Sequence, residues 1–133
     1  MGSHDEIRDV LGRYATAWAA GDLGTVLGLY HDDFVLHYRG ESPLAGTHRG
    51  RDAALTALAE ATARSHRELV RVVDVLAGDD RGALVVVERL GRGAAAREVE
   101  RVLVYRVTDG RLAECWLYDE DQRFVDHLWS TPT

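Results

Sequence analysis

The chain has 133 residues, 46% hydrophobic and 29% charged, a globular composition at a length that buries roughly 65–70% of its unfolded surface in a single core. Its net charge of −6, with arginines but no lysine interspersed among acids, supplies no basic stripe and argues against nucleic acid as a partner. The longest apolar run, Ala83 to Val87, is far too short to cross a bilayer.

The single Cys115 has no partner for an internal disulfide, and no charged, apolar, small-residue signal precedes the first helix, so a reducing cytoplasm is the expected compartment. Met1 to His4 can be read as a cloning remnant. One domain is expected over residues 5–130, with a tail at 131–133.

From Ile7 onward Val10, Leu11, Tyr14, Ala15 and Trp18 recur at three- and four-residue intervals, which predicts an amphipathic helix that Gly21 ends. Asp22 is a good N-cap for a short second helix carrying Leu23, Val26, Leu27 and Tyr30, which Asp32-Asp33 breaks. A strand is expected at Phe34 to Tyr38. The segment Arg39 to Gly50 holds three glycines and a proline and reads as an irregular loop. A third helix opens at Arg51 or Asp52, burying Ala54, Leu55, Leu58 and Ala61. The period then changes to that of strands, over Arg67–Leu76, Ala83–Leu90, Arg97–Val107 and Leu112–Tyr118, with turns at Gly78-Asp79-Asp80, Gly91-Arg92-Gly93 and Asp109-Gly110. Ala94-Ala95-Ala96 belongs to a turn, and a last helix starts near Glu120 and ends before Pro132. Helices followed by an antiparallel meander indicate an α+β fold with helices on one face of the sheet.

This element order resembles the nuclear transport factor 2-like superfamily, through Arg13-Tyr14, Ala20-Gly21-Asp22-Leu23, Asp32-Asp33 and Gly46-Thr47. Within it the chain is most similar to bacterial SnoaL-like and ketosteroid isomerase-like proteins, on the pattern from His37 through Gly40, Pro43 and Gly46 to Arg49-Gly50-Arg51. A second pattern is Glu114-x-Trp116, then Asp121-Gln122 and Trp129. The resemblance implies a cone, a strongly curved, mostly antiparallel sheet wrapped around a long N-terminal helix. It also implies an apolar pocket at one end and a homodimer through the outer sheet face.

Three residues are candidates for catalysis. Tyr14 matches the oxyanion-hole tyrosine of ketosteroid isomerases, whose acid–base equipment is a worked case of pKa tuning. Aligning the loop, with one gap after Asp33, puts His37 where those enzymes keep a general-base Asp, and an imidazole can exchange a proton near neutrality. Their second, protonated Asp has no counterpart near Leu103 or Val104. Asp121, or alternatively Asp119, matches the acid–base carboxylate that SnoaL-type cyclases carry at the end of the last strand, and would pair with His37 across the pocket mouth.

Each also has a structural alternative: Tyr14 as ordinary helix core, His37 bonded to the loop backbone, Asp121 capping the last helix. Trp18, Tyr30, Trp116 and Tyr118 are candidate substrate-binding aromatics, and Tyr105 is undecided. Glu88 and Arg89, on opposite faces of a strand, read as rim or interface charges. The histidines lack zinc-site spacing, no phosphate-cradling glycine loop or nucleophile elbow is present, and Cys115 reads as an inert core thiol.

Neither metal nor cofactor is expected. The expected activity is proton transfer next to the carbonyl of a small apolar molecule, of isomerase, cyclase or dehydratase type. The alternatives are a non-catalytic binding or dimerisation module, or epoxide hydrolysis, which asks for an Asp-Arg-Asp group not assembled from the sequence.

Overall fold

A computed structural model of the protein describes residues 3–130, so the expected tail at 131–133 and the helix-ending Pro132 lie outside the described residues. The elements are α1 (Ser3–Ala20), α2 (Leu23–Gly28), β1 (Tyr30–Tyr38), β2 (Gly46–Arg49), α3 (Arg51–Ser65), β3 (Glu68–Ala77), β4 (Arg81–Leu90), a single 3₁₀ turn (Gly93–Ala95), β5 (Arg97–Thr108), β6 (Arg111–Asp119) and α4 (Gln122–Ser130). The fold is the expected α+β cone, a curved six-stranded sheet in the order β2-β1-β6-β5-β4-β3. All neighbours are antiparallel except β1 and β6, which run parallel.

The long helix starts four residues before Ile7, with Asp5 and Glu6 in its first turn, where acidic side chains complement the helix dipole. It buries Ile7, Val10, Leu11, Tyr14 and Ala15 against the sheet. Gly21, at φ 71°, ends it in a Schellman turn: its N–H donates to the Trp18 carbonyl and that of Asp22 to the Ala17 carbonyl, a left-handed position that glycine adopts without steric cost. Asp22 then caps α2 by accepting from the Thr25 backbone N–H at 3.2 Å. Where α1 meets β4 the chains come very close. A Cβ on Gly82 would lie 2.5 Å from Ile7 Cγ2 and 2.6 Å from Leu11 Cδ1.

Two local expectations differ from the structure. Asp32-Asp33 does not end a helix but sits inside β1, at a register shift between Tyr30 and Val35; the bulged stretch leaves both carboxylates exposed while the strand continues around them. The glycine-rich loop also contains β2, paired with β1 from Val35↔Arg49 to Tyr38↔Gly46, because Thr47 and His48 can extend once Gly46, at φ 120°, has turned the chain.

Strand alternation divides the side chains into two sets. Phe34, Leu36 and Tyr38 of β1, Leu103 and Tyr105 of β5, and Cys115 and Leu117 of β6 enter the core under α1 and α3. Val35 and His37, with Glu114, Trp116 and Tyr118 on β6, have the opposite parity and face away from it. That division decides which candidate residues share a site.

Candidate functional site: the cone cavity

A cavity of about 350 Å³ opens between α1, α2, α3 and the inner sheet face. Its walls are mostly apolar: Trp18 from α1, Leu23 and Val26 from α2, and Leu55 and Leu58 from α3. Five polar side chains also line it, Tyr14, Tyr30, Thr62, Arg67 and Glu88. Apolar walls with a few placed polar groups are the usual form of a small-molecule site.

Tyr14 and Tyr30 meet through their hydroxyls at 2.6 Å. The Tyr14 ring packs edge-on against Tyr30 and Tyr105, with centroids 5.8 and 5.7 Å away, and lies 6.0 Å from Trp18. Burial raises the Tyr14 phenol above its ordinary range, while hydrogen bonds with Tyr30 and Tyr105 and the positive charge of Arg67 pull it back. Burial drives Tyr30 and Tyr105 well up, and the nearby Tyr14 pushes them the same way. All three hydroxyls are therefore protonated at neutral pH.

The polar wall continues into the core as a chain of alternating charges. Arg67 donates from Nε and Nη2 to Glu88 at 2.7 and 2.8 Å. Arg101 donates from Nη1 to Glu88 at 3.2 Å and from Nε to Asp119 at 2.6 Å. Side-chain exposures are 15% for Arg67, 0% for Glu88, and 2% for both Arg101 and Asp119. Burial alone would raise Glu88, but Arg67 and Arg101 outweigh it and hold the carboxyl below its ordinary range. Burial wins at Asp119, whose carboxyl is raised despite Arg101. Beside this chain, burial pushes the Cys115 thiol up to about 12, leaving it protonated at neutral pH.

The expected catalytic residues do not converge. Tyr14 lies in the cavity wall together with Trp18 and Tyr30, whereas His37 lies on the outer face of the sheet, because its neighbours Leu36 and Tyr38 take the inward positions of β1. Its Nε2 meets Glu114 at 2.5 Å and its Nδ1 meets Thr47 at 3.0 Å, and its ring stacks on Trp116 at 5.3 Å with planes 9° apart. Arg81 covers Trp116 at 4.1 Å. Trp116 and Tyr118 are outer-face residues of β6, not cavity walls, and Tyr118 carries Arg39 4.8 Å from its ring centroid. Asp121 accepts from Arg97 at 3.2 Å and from the Phe124 backbone N–H at 3.1 Å, so it caps the start of α4 and does not meet His37.

Two expectations about charge also change. Glu88 is no rim residue but a fully covered carboxylate of the cavity wall, and Asp119 is bound to Arg101 instead of being offered to a substrate. Glu88, Arg101 and Asp119 do form a carboxylate–guanidinium–carboxylate series of the kind epoxide hydrolysis would need. Their side chains are at most 2% exposed, which leaves no access for an epoxide. The sequence signal was present in Glu88 and Arg101, which break otherwise apolar strand faces; a buried charge at such a position implies an opposite charge beside it. Among the described residues no group of three or more His, Cys, Asp or Glu is arranged to hold a metal ion, and no helix is long and apolar enough to cross a membrane.

Residues 11–115 match the SnoaL-like domain family. The chain belongs to that family. No curated protein matches it. Among solved structures, it is similar to Bal32a from a soil-derived mobile gene cassette, with 23% identity, coverage of 96% of this chain and 99% of that chain, and a TM-score of 0.82. It is also similar to a protein of unknown function with a cystatin-like fold from Xanthomonas campestris, at 26% identity, 92% and 97% coverage and a TM-score of 0.83. TerC co-crystallised with polyporic acid shares the fold at 16% identity, 92% and 98% coverage and a TM-score of 0.75. Within this SnoaL-like domain the matched span runs from α1 to β6, and so includes every residue of the tyrosine cluster and both partners of the Arg67–Glu88 pair.

Proposed function

We propose that this SnoaL-like protein binds a small, mostly apolar molecule in the cone cavity, with Tyr14 donating a hydrogen bond to a carbonyl oxygen of that molecule. The observation that carries this reading is the Tyr14–Tyr30 hydroxyl pair in the cavity wall. Two phenols joined by one hydrogen bond use one of their two protons, and hydrogen bonding by Tyr30 and Tyr105 pulls the raised Tyr14 phenol back down. Tyr14 is therefore the phenol best prepared to donate to an oxygen that gains charge. Titration with 1-tetralone, followed by tryptophan fluorescence because Trp18 lines the cavity, tests the reading. Tyr14→Phe should weaken binding about tenfold; unchanged affinity would sink it.

A second reading is proton transfer next to that carbonyl, of the isomerase, cyclase or dehydratase type. The protonated Tyr14 hydroxyl favours it, since an enolate oxygen needs such a donor. Against it stands the base: Glu88 is the one carboxylate in the cavity wall, and it is covered and held by two arginines. Solvent deuterium incorporation at the carbon next to the carbonyl of 1-tetralone separates the two readings. Incorporation above the buffer rate favours the enzyme, and its absence favours a binding module.

Dimerisation through the outer sheet face is part of the same proposal. It is supported by exposed Val70, Val73 and Leu76 on β3 and by Tyr118 on β6. Light scattering during gel filtration should give twice the chain mass, and Val73→Asp should shift it toward one.

A further inference from the structure

Arg67 carries a hydrogen-bond donor that none of the described residues accepts. Its Nε and Nη2 are engaged by Glu88, while Nη1 makes no hydrogen bond or ion pair with any of the described residues. Nη1 is not sealed either: among the described residues Trp129 Nε1 is the buried side-chain polar atom that lacks a partner. Arg67 lines the cavity together with Tyr14 and Trp18, so the unused donor belongs to a residue of the same wall as Tyr14.

The guanidinium cannot turn this donor elsewhere. Glu88 grips it as a two-bonded fork, Arg101 fixes Glu88 from the far side, and the Trp18 ring lies 5.2 Å from the guanidinium carbon. A donor fixed before binding costs little to order when an acceptor arrives. The charge around it is balanced, since Arg67 and Arg101 face Glu88 and Asp119. An anion in this place would add an unmatched charge to a poorly solvated wall.

Building on the chamber reading above, we infer that Arg67 is a specificity-determining residue, and that the bound molecule is neutral with two acceptor oxygens, one received by Tyr14 and one by Arg67 Nη1. A molecule with a single oxygen leaves one of these donors desolvated and unmatched, and a site built around a polar contact discriminates strongly against analogues that lack it.

Three probes of similar size test the inference: 1-tetralone with one oxygen, 4-hydroxy-1-tetralone with two, and 1-naphthoate with a charge. The wild-type protein should bind the hydroxyketone about tenfold more tightly than the ketone, and naphthoate more weakly than the hydroxyketone. In the double variant Arg67→Met with Glu88→Leu, the ratio of the two neutral affinities should fall to about one. Arg67→Lys, which keeps the charge beside Glu88 but lacks Nη1, should show the same fall and serves if the double variant does not fold. Equal affinities for the two neutral probes in the wild type, a preserved ratio in the folded variants, or naphthoate as the tightest probe would overturn the inference. If 1-tetralone binds and Tyr14→Phe weakens it while the hydroxyl adds nothing, only the role of Arg67 fails. If no probe binds, the chamber reading fails and takes this inference with it.

Discussion

Glu88 accepts three guanidinium N–H bonds and has no exposed surface, so its worth depends on its neighbours and not on itself. Glu88→Ala strands Arg67, leaves Arg101 with Asp119 alone, and should cost ~3–5 kcal/mol in chemical denaturation, because removing one partner of a buried ion pair leaves the other uncompensated. Replacing Glu88 together with Arg67 by apolar residues should cost far less. His37 shows the opposite case. Its bonds to Glu114 and Thr47 lie on the outer face, so His37→Ala should leave 1-tetralone affinity unchanged while lowering stability by about 1 kcal/mol. A loss of binding in this variant would return His37 to the site.

At the scale of elements, α2 forms one wall of the cavity mouth, with Leu23 65% exposed at its start. Six residues make a marginal helix by themselves, which places the stability of this wall in its cap and its neighbours. The Asp22 carboxylate accepts from the Thr25 backbone N–H and hydroxyl, and Arg51 donates from α3 to the Leu27 carbonyl at 2.8 Å. Asp22→Ala should remove about 1 kcal/mol of capping and speed release of 1-tetralone in stopped-flow fluorescence, with little change in the association rate. The contact of α1 with β4 is far less tolerant. Gly82→Ala must displace Ile7, Leu11 and the Leu76 carbonyl together and should cost ~1–3 kcal/mol of thermodynamic stability by overpacking.

Across the whole molecule, the buried and outer-face carboxylates set how stability responds to acid. Burial alone would raise Glu114, but His37 and Arg106 hold it below its ordinary value, as two arginines do for Glu88. A depressed carboxyl binds fewer protons folded than unfolded. Its stabilisation is therefore present above the unfolded value, 4.5 for Glu, and is lost as pH falls through the folded one. Asp119 is raised above 3.8 and acts with the opposite sign, gaining stability as pH drops from its folded value toward 3.8. With three depressed carboxyls, Asp22 beside Thr25 as well as Glu88 and Glu114, against one raised, unfolding free energy should decline below about pH 4.5, as measured by urea titration at stepped pH. Glu114→Gln should flatten that decline.

The sequence by itself determined the element order, the long buried face of α1 and the strand alternation, because periodicities of 3.6 and 2 are local consequences of backbone geometry. It also carried enough family character for Tyr14 and Trp18 to be placed in a cavity wall. β2 and the bulge at Asp32-Asp33 were not legible, since both depend on pairing with strands distant along the chain. The parity of β1 was legible, and His37 shares a face with Val35 in sequence and in structure. Which of the two faces is the inside was not, because it is settled by where α1 and α3 lie on the curved sheet. That single choice moved His37, Trp116 and Tyr118 outward. It brought Arg67, Glu88, Arg101 and Asp119, which come from different strands and the α3–β3 connection, into one buried chain behind the tyrosines.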